Sequence, residues 1–183
     1  MKASKTRKGA SWSDVKAKLT HFDHAGLVSL VRDLYESNKD NQVFLHARFG
    51  LGEDVLEPYK IAINRWLWPD ILRNQNASVA EAKKSIANYK KAIGQPDGLA
   101  ELMVFYCERA SGFSAEVGLR DEGFFVALVL MFERALQAIS GLPDEQRPPL
   151  MERLSAVHLN SQNIGYGVDD AMSDLLVEYG TYD

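Results

Sequence analysis

Phe124-Phe125-Val126-Ala127-Leu128-Val129-Leu130-Met131-Phe132 is an unbroken apolar run, fenced by Asp121 and Glu122 before it and by Glu133 and Arg134 after it. A helix that is apolar on every side has to be wrapped by other helices, so the run predicts a central strut over residues 121–140 of a helical core. Gly141 and Pro143 close it, and Asp121 is placed to cap its start.

Working outward, the neighbouring segments have helical rather than strand periodicity. Leu99, Leu102, Met103, Tyr106, Ala110 and Phe113 form one stripe of a helix opened by Pro96 and Asp97. Ser78 with Glu81 three residues later is a capping-box pattern, and Gly94 suits the left-handed end of that helix. Residues 53–68 carry Val55, Leu56, Tyr59, Ile63, Trp66 and Leu67 before Pro69 forces a stop. Nearer the N-terminus, Ser13 is a cap for a short helix to about Leu19. Asp23 then precedes the stripe Leu27, Val28, Leu30, Val31, Leu34, and Asp40 or Asn41 opens a segment stopped by Gly50 and Gly52. On the other side, residues 149–159 and about 169–179 complete the set.

No alternating β-branched run interrupts this pattern. The predicted fold is all-α, with about eight helices in one domain over 11–183, built as a bundle or as stacked antiparallel helical hairpins behind a flexible basic tail at 1–10. Leu102–Ala110 (LMVFYCERA) and Ala127–Ala135 (ALVLMFERA) echo each other, and Ala127–Ile139 resembles the second helix of a tetratricopeptide hairpin. The spacing of the two copies is shorter than that family's period, and no third copy follows.

Composition narrows the function classes. A formal charge of −4 and a pI near 5.6 argue against a dedicated nucleic-acid binder. The single cysteine, Cys107, excludes an internal disulfide framework and fits a reducing compartment. No apolar segment follows the basic start as it would in a signal peptide, and nine apolar residues at 124–132 fall short of the roughly 20 that span a bilayer. The expected location is therefore the cytoplasm, with no membrane among the expected partners, which also empties the glycosylation match Asn76-Ala77-Ser78 of meaning.

Charge is unevenly spread: Lys2, Lys5, Arg7 and Lys8 crowd the start, while Asp169, Asp170, Asp174, Glu178 and Asp183 dominate the end. The basic start is either a solvated tail or an arm that touches RNA or a partner.

Catalytic constellations are sparse. His21, Asp23 and His24 offer ligand types that suit zinc or iron, but they straddle a helix start where Asp23 already serves as cap. Arg153-x4-His158 has the spacing found in small all-α nucleases of the higher-eukaryote-and-prokaryote nucleotide-binding class. That resemblance implies a phosphate clamp at Arg153 and general acid–base chemistry at His158, although Leu154 stands where the family favours a polar residue. Cys107 lies in an apolar helix and reads as structural, and Gly50-x-Gly52 and Gly165-Tyr166-Gly167 lack a strand–turn–helix setting and read as loops. Lys83, Lys84, Lys90 and Lys91 form a basic helix face around Tyr89, which is either solvated or able to hold phosphates or an acidic partner. No cofactor motif is present.

Several segments together resemble a family of small bacterial proteins of unknown function. They are SLVRDLYES at 29–37 with NKDN at 38–41 and Phe44, Leu45, Arg48; EAKK at 81–84 with Ile86 and YKK at 89–91; AELM at 100–103 with Tyr106 and Glu108; and IGYG at 164–167 with Asp169 and Asp170. The chain departs from that family at Tyr166, where tryptophan is expected, and in its basic first ten residues. The resemblance implies a soluble all-helical protein and supplies no activity. Its polar members Asp33, Tyr35, Lys39, Arg48, Lys90 and Glu108 are either internal pairs or the lining of a groove.

The expected function is a non-catalytic protein-interaction module that uses Asp33, Tyr35, Lys39, Arg48, Lys90 and Tyr166. The alternatives are a metal-independent RNA nuclease built on Arg153 and His158, and a homo-oligomeric structural protein with an exposed patch at Trp66-Leu67-Trp68.

Overall fold

The computed structural model describes residues 10–52 and 54–179, and among them every regular element is helical. The basic stretch 1–9 and Asp183 lie outside the described residues. Contacts gather the chain into two compact units, residues 1–45 and 46–183.

The first unit holds α1 (Trp12–Leu19), α2 (His24–Ser37) and most of α3 (Lys39–Arg48). Its helix starts are local hydrogen-bonding problems solved locally. The cap of α1 is Ser11, two residues earlier than predicted, whose backbone N–H donates to the Asp14 carboxylate at 2.8 Å. Asp23 caps α2 as expected, accepting from the Gly26 N–H at 2.7 Å. At the α2–α3 junction the Asn41 side-chain amide donates to the Leu34 carbonyl at 2.7 Å. No residue of 10–45 is buried.

The second unit contains α4 (Glu57–Leu67), α5 (Val79–Ala92), α6 (Pro96–Val117), α7 (Glu122–Ser140), α8 (Arg147–Ser161) and α9 (Val168–Tyr179), with short 3-10 turns at Ile71–Arg73 and Asp144–Gln146. The predicted caps hold: the Ser78 hydroxyl accepts from Glu81 N–H, and the Asp121 carboxylate accepts from Phe124 N–H at 3.0 Å. Gly94 ends α5 with φ +71°.

The hub is α6, which packs against α4, α5, α7 and α8, while α7 packs against α6, α8 and α9. This corrects the expectation that the 121–140 helix is wrapped on every side. By length and composition it could cross a bilayer, but half of it is buried as in a core helix. Its neighbours cover Phe125, Leu128, Phe132, Leu136 and Ile139, and leave Val126 53% and Leu130 44% exposed.

The exposed Trp66-Leu67-Trp68 patch is also corrected. Leu67 is fully buried, and Trp68 folds back onto α6, edge-on to Phe113 with centroids 6.2 Å apart. Gly112 makes this approach possible, because a Cβ there would lie 2.7 Å from Trp68 Cζ3. From Phe113 a series of ring contacts continues through Phe124 and Phe125 to Tyr166, joining α6 and α7 to the loop before α9.

Candidate functional site

Three helices of the second unit each contribute one stripe to a shared groove. Lys83, Ile86, Ala87 and Lys90 come from α5 at i, i+3, i+4, i+7; Pro96, Leu99 and Met103 come from α6; Met131, Arg134, Gln137 and Ala138 come from α7. The groove encloses about 550 Å³. Its floor is apolar, with Ile86 and Met131 buried and Leu99 and Met103 half-buried. Its polar lining is Lys83, Lys90, Arg134 and Gln137, with no acidic side chain among them.

The electrostatics of this site are unbalanced. Lys83 is half-buried, and its ammonium is held below the usual lysine range, first by burial and then by the charge of Arg134. Its neighbour Lys84 faces solvent and pairs with Glu81 at 3.5 Å. The basic face of α5 therefore divides: Lys84 and Lys91 are solvated, and Lys83 and Lys90 border the groove. Gln137 is positioned by two neighbours, donating to Glu133 Oε1 at 3.2 Å and to the Tyr179 hydroxyl at 3.1 Å.

The other candidate residues have different surroundings. Arg153 on α8 lies between two carboxylates of α6, with Nε 2.7 Å from Glu108 Oε1 and Nη1 bonded to Glu101, which also receives Lys60 of α4 at 2.7 Å. This four-residue network ties α4, α6 and α8 together, and it makes Glu108 a structural partner. His158 turns instead to α9, where its Nε2 lies 2.8 Å from Asp169 Oδ1 and 3.0 Å from the Ser173 hydroxyl. On a helix the five-residue step separates Arg153 from His158 by roughly 140°, and they face different helices. A Ser–His–Asp relay needs the carboxylate on Nδ1 and the hydroxyl on Nε2, whereas both meet Nε2 here.

Asp23 of the metal candidate set is engaged as the α2 cap, and among the described residues no group of three or more His, Cys, Asp or Glu side chains is placed to hold a metal ion. Cys107 is fully buried, and burial first, then Glu108, pushes its thiol pKa well up.

The six residues expected to bind are not gathered in one place. Asp33 and Lys39 are exposed and Tyr35 half-buried in the 1–45 unit. Arg48 donates to the Ala92 carbonyl at the end of α5 at 3.0 Å. Lys90 lines the groove. Tyr166, left-handed at φ +54° between two glycines, packs tilted against Phe125 with ring centroids 5.1 Å apart, beside a second, apolar cleft of about 330 Å³ between α7 and α9.

Sequence reasoning found Lys83 and Lys90 but missed Arg134, Leu99 and Met103 as their companions. The signal was present in the repeated Glu-Arg-Ala: an arginine ending an otherwise apolar stretch of α7 was a charge in need of an explanation.

The chain matches no family model, no curated protein and no solved structure. The functional reading therefore rests on this chain's own residues.

Proposed function

We propose that this protein is a non-catalytic interaction module of the cytoplasm that holds an acidic, amphipathic segment of a partner protein in the α5–α6–α7 groove. The observation that carries this reading is the convergence of Lys83, Lys90 and Arg134 on an apolar floor with no acidic side chain in the lining. Apolar residues of a partner helix spaced i, i+3, i+4, i+7 would enter between Leu99, Met103 and Met131, as in helix-in-groove recognition. Carboxylates flanking that stripe would meet the three cations and relieve the repulsion between Lys83 and Arg134.

The test uses a fluorescein-labelled 18-residue peptide with leucines at that spacing and glutamates beside them, and a control with lysines for glutamates. Fluorescence anisotropy is expected to give micromolar binding of the acidic peptide, at least tenfold tighter than the control. Binding should fall about tenfold in the Lys83→Glu/Arg134→Glu variant and weaken between 50 and 300 mM salt. Equal affinity for both peptides, or indifference to the double substitution, rejects the reading.

A further inference from the structure

The first unit poses a separate question, because none of its described residues is fully buried and Leu19 and Leu30 are only half-buried. Trp12 is 69% exposed, and Val15, Phe22, Leu27, Val28, Val31 and Leu34 are exposed as well. Helices of 8 and 14 residues are marginal in water by themselves, so an apolar stripe on each asks for a surface to lie on.

The charge pattern identifies that surface. On α1, Trp12, Val15 and Leu19 follow i, i+3, i+7, and Lys16 and Lys18 border this stripe on its two sides. Lysines so placed can lay their stems along an apolar surface and reach anionic headgroups with their ammonium groups. Across residues 2–37 seven lysines and arginines stand against the four acids Asp14, Asp23, Asp33 and Glu36, and the whole basic excess lies before residue 19. A second copy of this chain would bring two such basic segments together and repel itself. A nucleic acid would use the lysines but leave Trp12, Leu27, Val31 and Leu34 in water.

From this combination we infer that residues 10–37 are an interfacial arm that lies on an anionic lipid surface, with Trp12, Val15 and the α2 stripe in the headgroup–acyl boundary and the lysines on lipid phosphates. The inference is independent of the groove, which belongs to the other unit.

Full-length protein is mixed with vesicles of phosphatidylcholine containing 30 mol% phosphatidylglycerol, or of phosphatidylcholine alone, and sedimented. The expected result is binding to the anionic vesicles only, reversed by 500 mM salt. Lys16→Glu/Lys18→Glu should cut the bound fraction about tenfold, and Val31→Asp should weaken it as well. Brominated lipid should quench the parent's tryptophan fluorescence, and much less that of Trp12→Phe, which retains Trp66 and Trp68. None of the substituted residues is buried, so helical circular dichroism and the melting temperature should stay near the parent's.

No sedimentation at low salt overturns the inference, and native mass spectrometry then distinguishes a dimer from RNA retention as the arm's use. Vesicle binding abolished by Lys83→Glu/Arg134→Glu but not by Lys16→Glu/Lys18→Glu overturns it equally, because the lipid would then be held by the groove.

Discussion

The guanidinium of Arg109 lies over the indole of Trp68, its central carbon 4.0 Å from the ring centroid. A planar cation on an aromatic face is attracted by the ring's quadrupole, and here it covers a residue that follows α4 directly and docks on α6. The contact turns a tryptophan that reads as surface in the sequence into part of the packing between two helices.

Trp68→Ala is therefore expected to lower stability by about 2–4 kcal/mol, by loss of buried aromatic surface and the cation–π contact, and to leave the oligomeric state unchanged. Gly112→Ala should destabilise in the same direction, since its Cβ meets Trp68 Cζ3 at 2.7 Å. Urea unfolding with sedimentation analysis checks both. A dimer in the parent that Trp68→Ala dissolves would contradict the packing role.

The Glu101 network makes stability depend on acid. Burial opposes ionisation of Glu101, but hydrogen bonds and charge from Arg153 and Lys60 outweigh it and hold the carboxyl below its usual range. A depressed carboxylate contributes stability that is complete above its unfolded pKa and is lost as pH falls through the folded value. Denaturant midpoints should thus decline below about pH 4.5. At pH 7, Glu101→Gln should cost about 1–2 kcal/mol and flatten that decline. A parallel decline in both proteins would remove Glu101 from the explanation.

Lys83 sets stability against binding. Its ammonium is disfavoured by burial and by Arg134, so Lys83→Met should stabilise the free protein by about 0.5 kcal/mol, or one to two degrees in Tm. The same change should weaken the acidic peptide several-fold. A Tm that falls on substitution would mean that Lys83 has a stabilising role in the free protein.

Cys107 should be inert to a thiol reagent. With the side chain fully buried and the thiolate disfavoured, reaction with 5,5′-dithiobis(2-nitrobenzoate) at pH 8 is expected only at the rate of global opening. A fast stoichiometric reaction of native protein would show that α6 opens locally.

Much of the local structure was legible because the forces behind it act over three or four residues. Asp23, Ser78 and Asp121 cap helices by accepting N–H groups three positions ahead, and that chemistry can be read from the residues alone. The two Glu-Arg-Ala copies show where such reading stops. Ala110 and Ala135 are both buried, as identical patterns should be. Yet Glu108 meets Arg153 and Arg109 stacks on Trp68, whereas Glu133 meets Gln137 and Arg134 enters the groove. Identical letters take different roles because the surfaces facing the two copies differ: Glu108 meets Arg153 of another helix 45 residues away, whereas Glu133 meets Gln137 of its own helix.

By itself the sequence determined the all-helical class, most helix borders, the buried cysteine and the division of charge along the chain, since hydrogen-bond capping and helical periodicity are properties of adjacent residues. Only the tertiary structure decided that α6 is the hub, that Val126 and Leu130 face outward, and that Lys83, Lys90 and Arg134 converge on one apolar floor. Burial and Coulomb forces depend on which helix faces are brought together, and that arrangement is set by the packing of the whole unit.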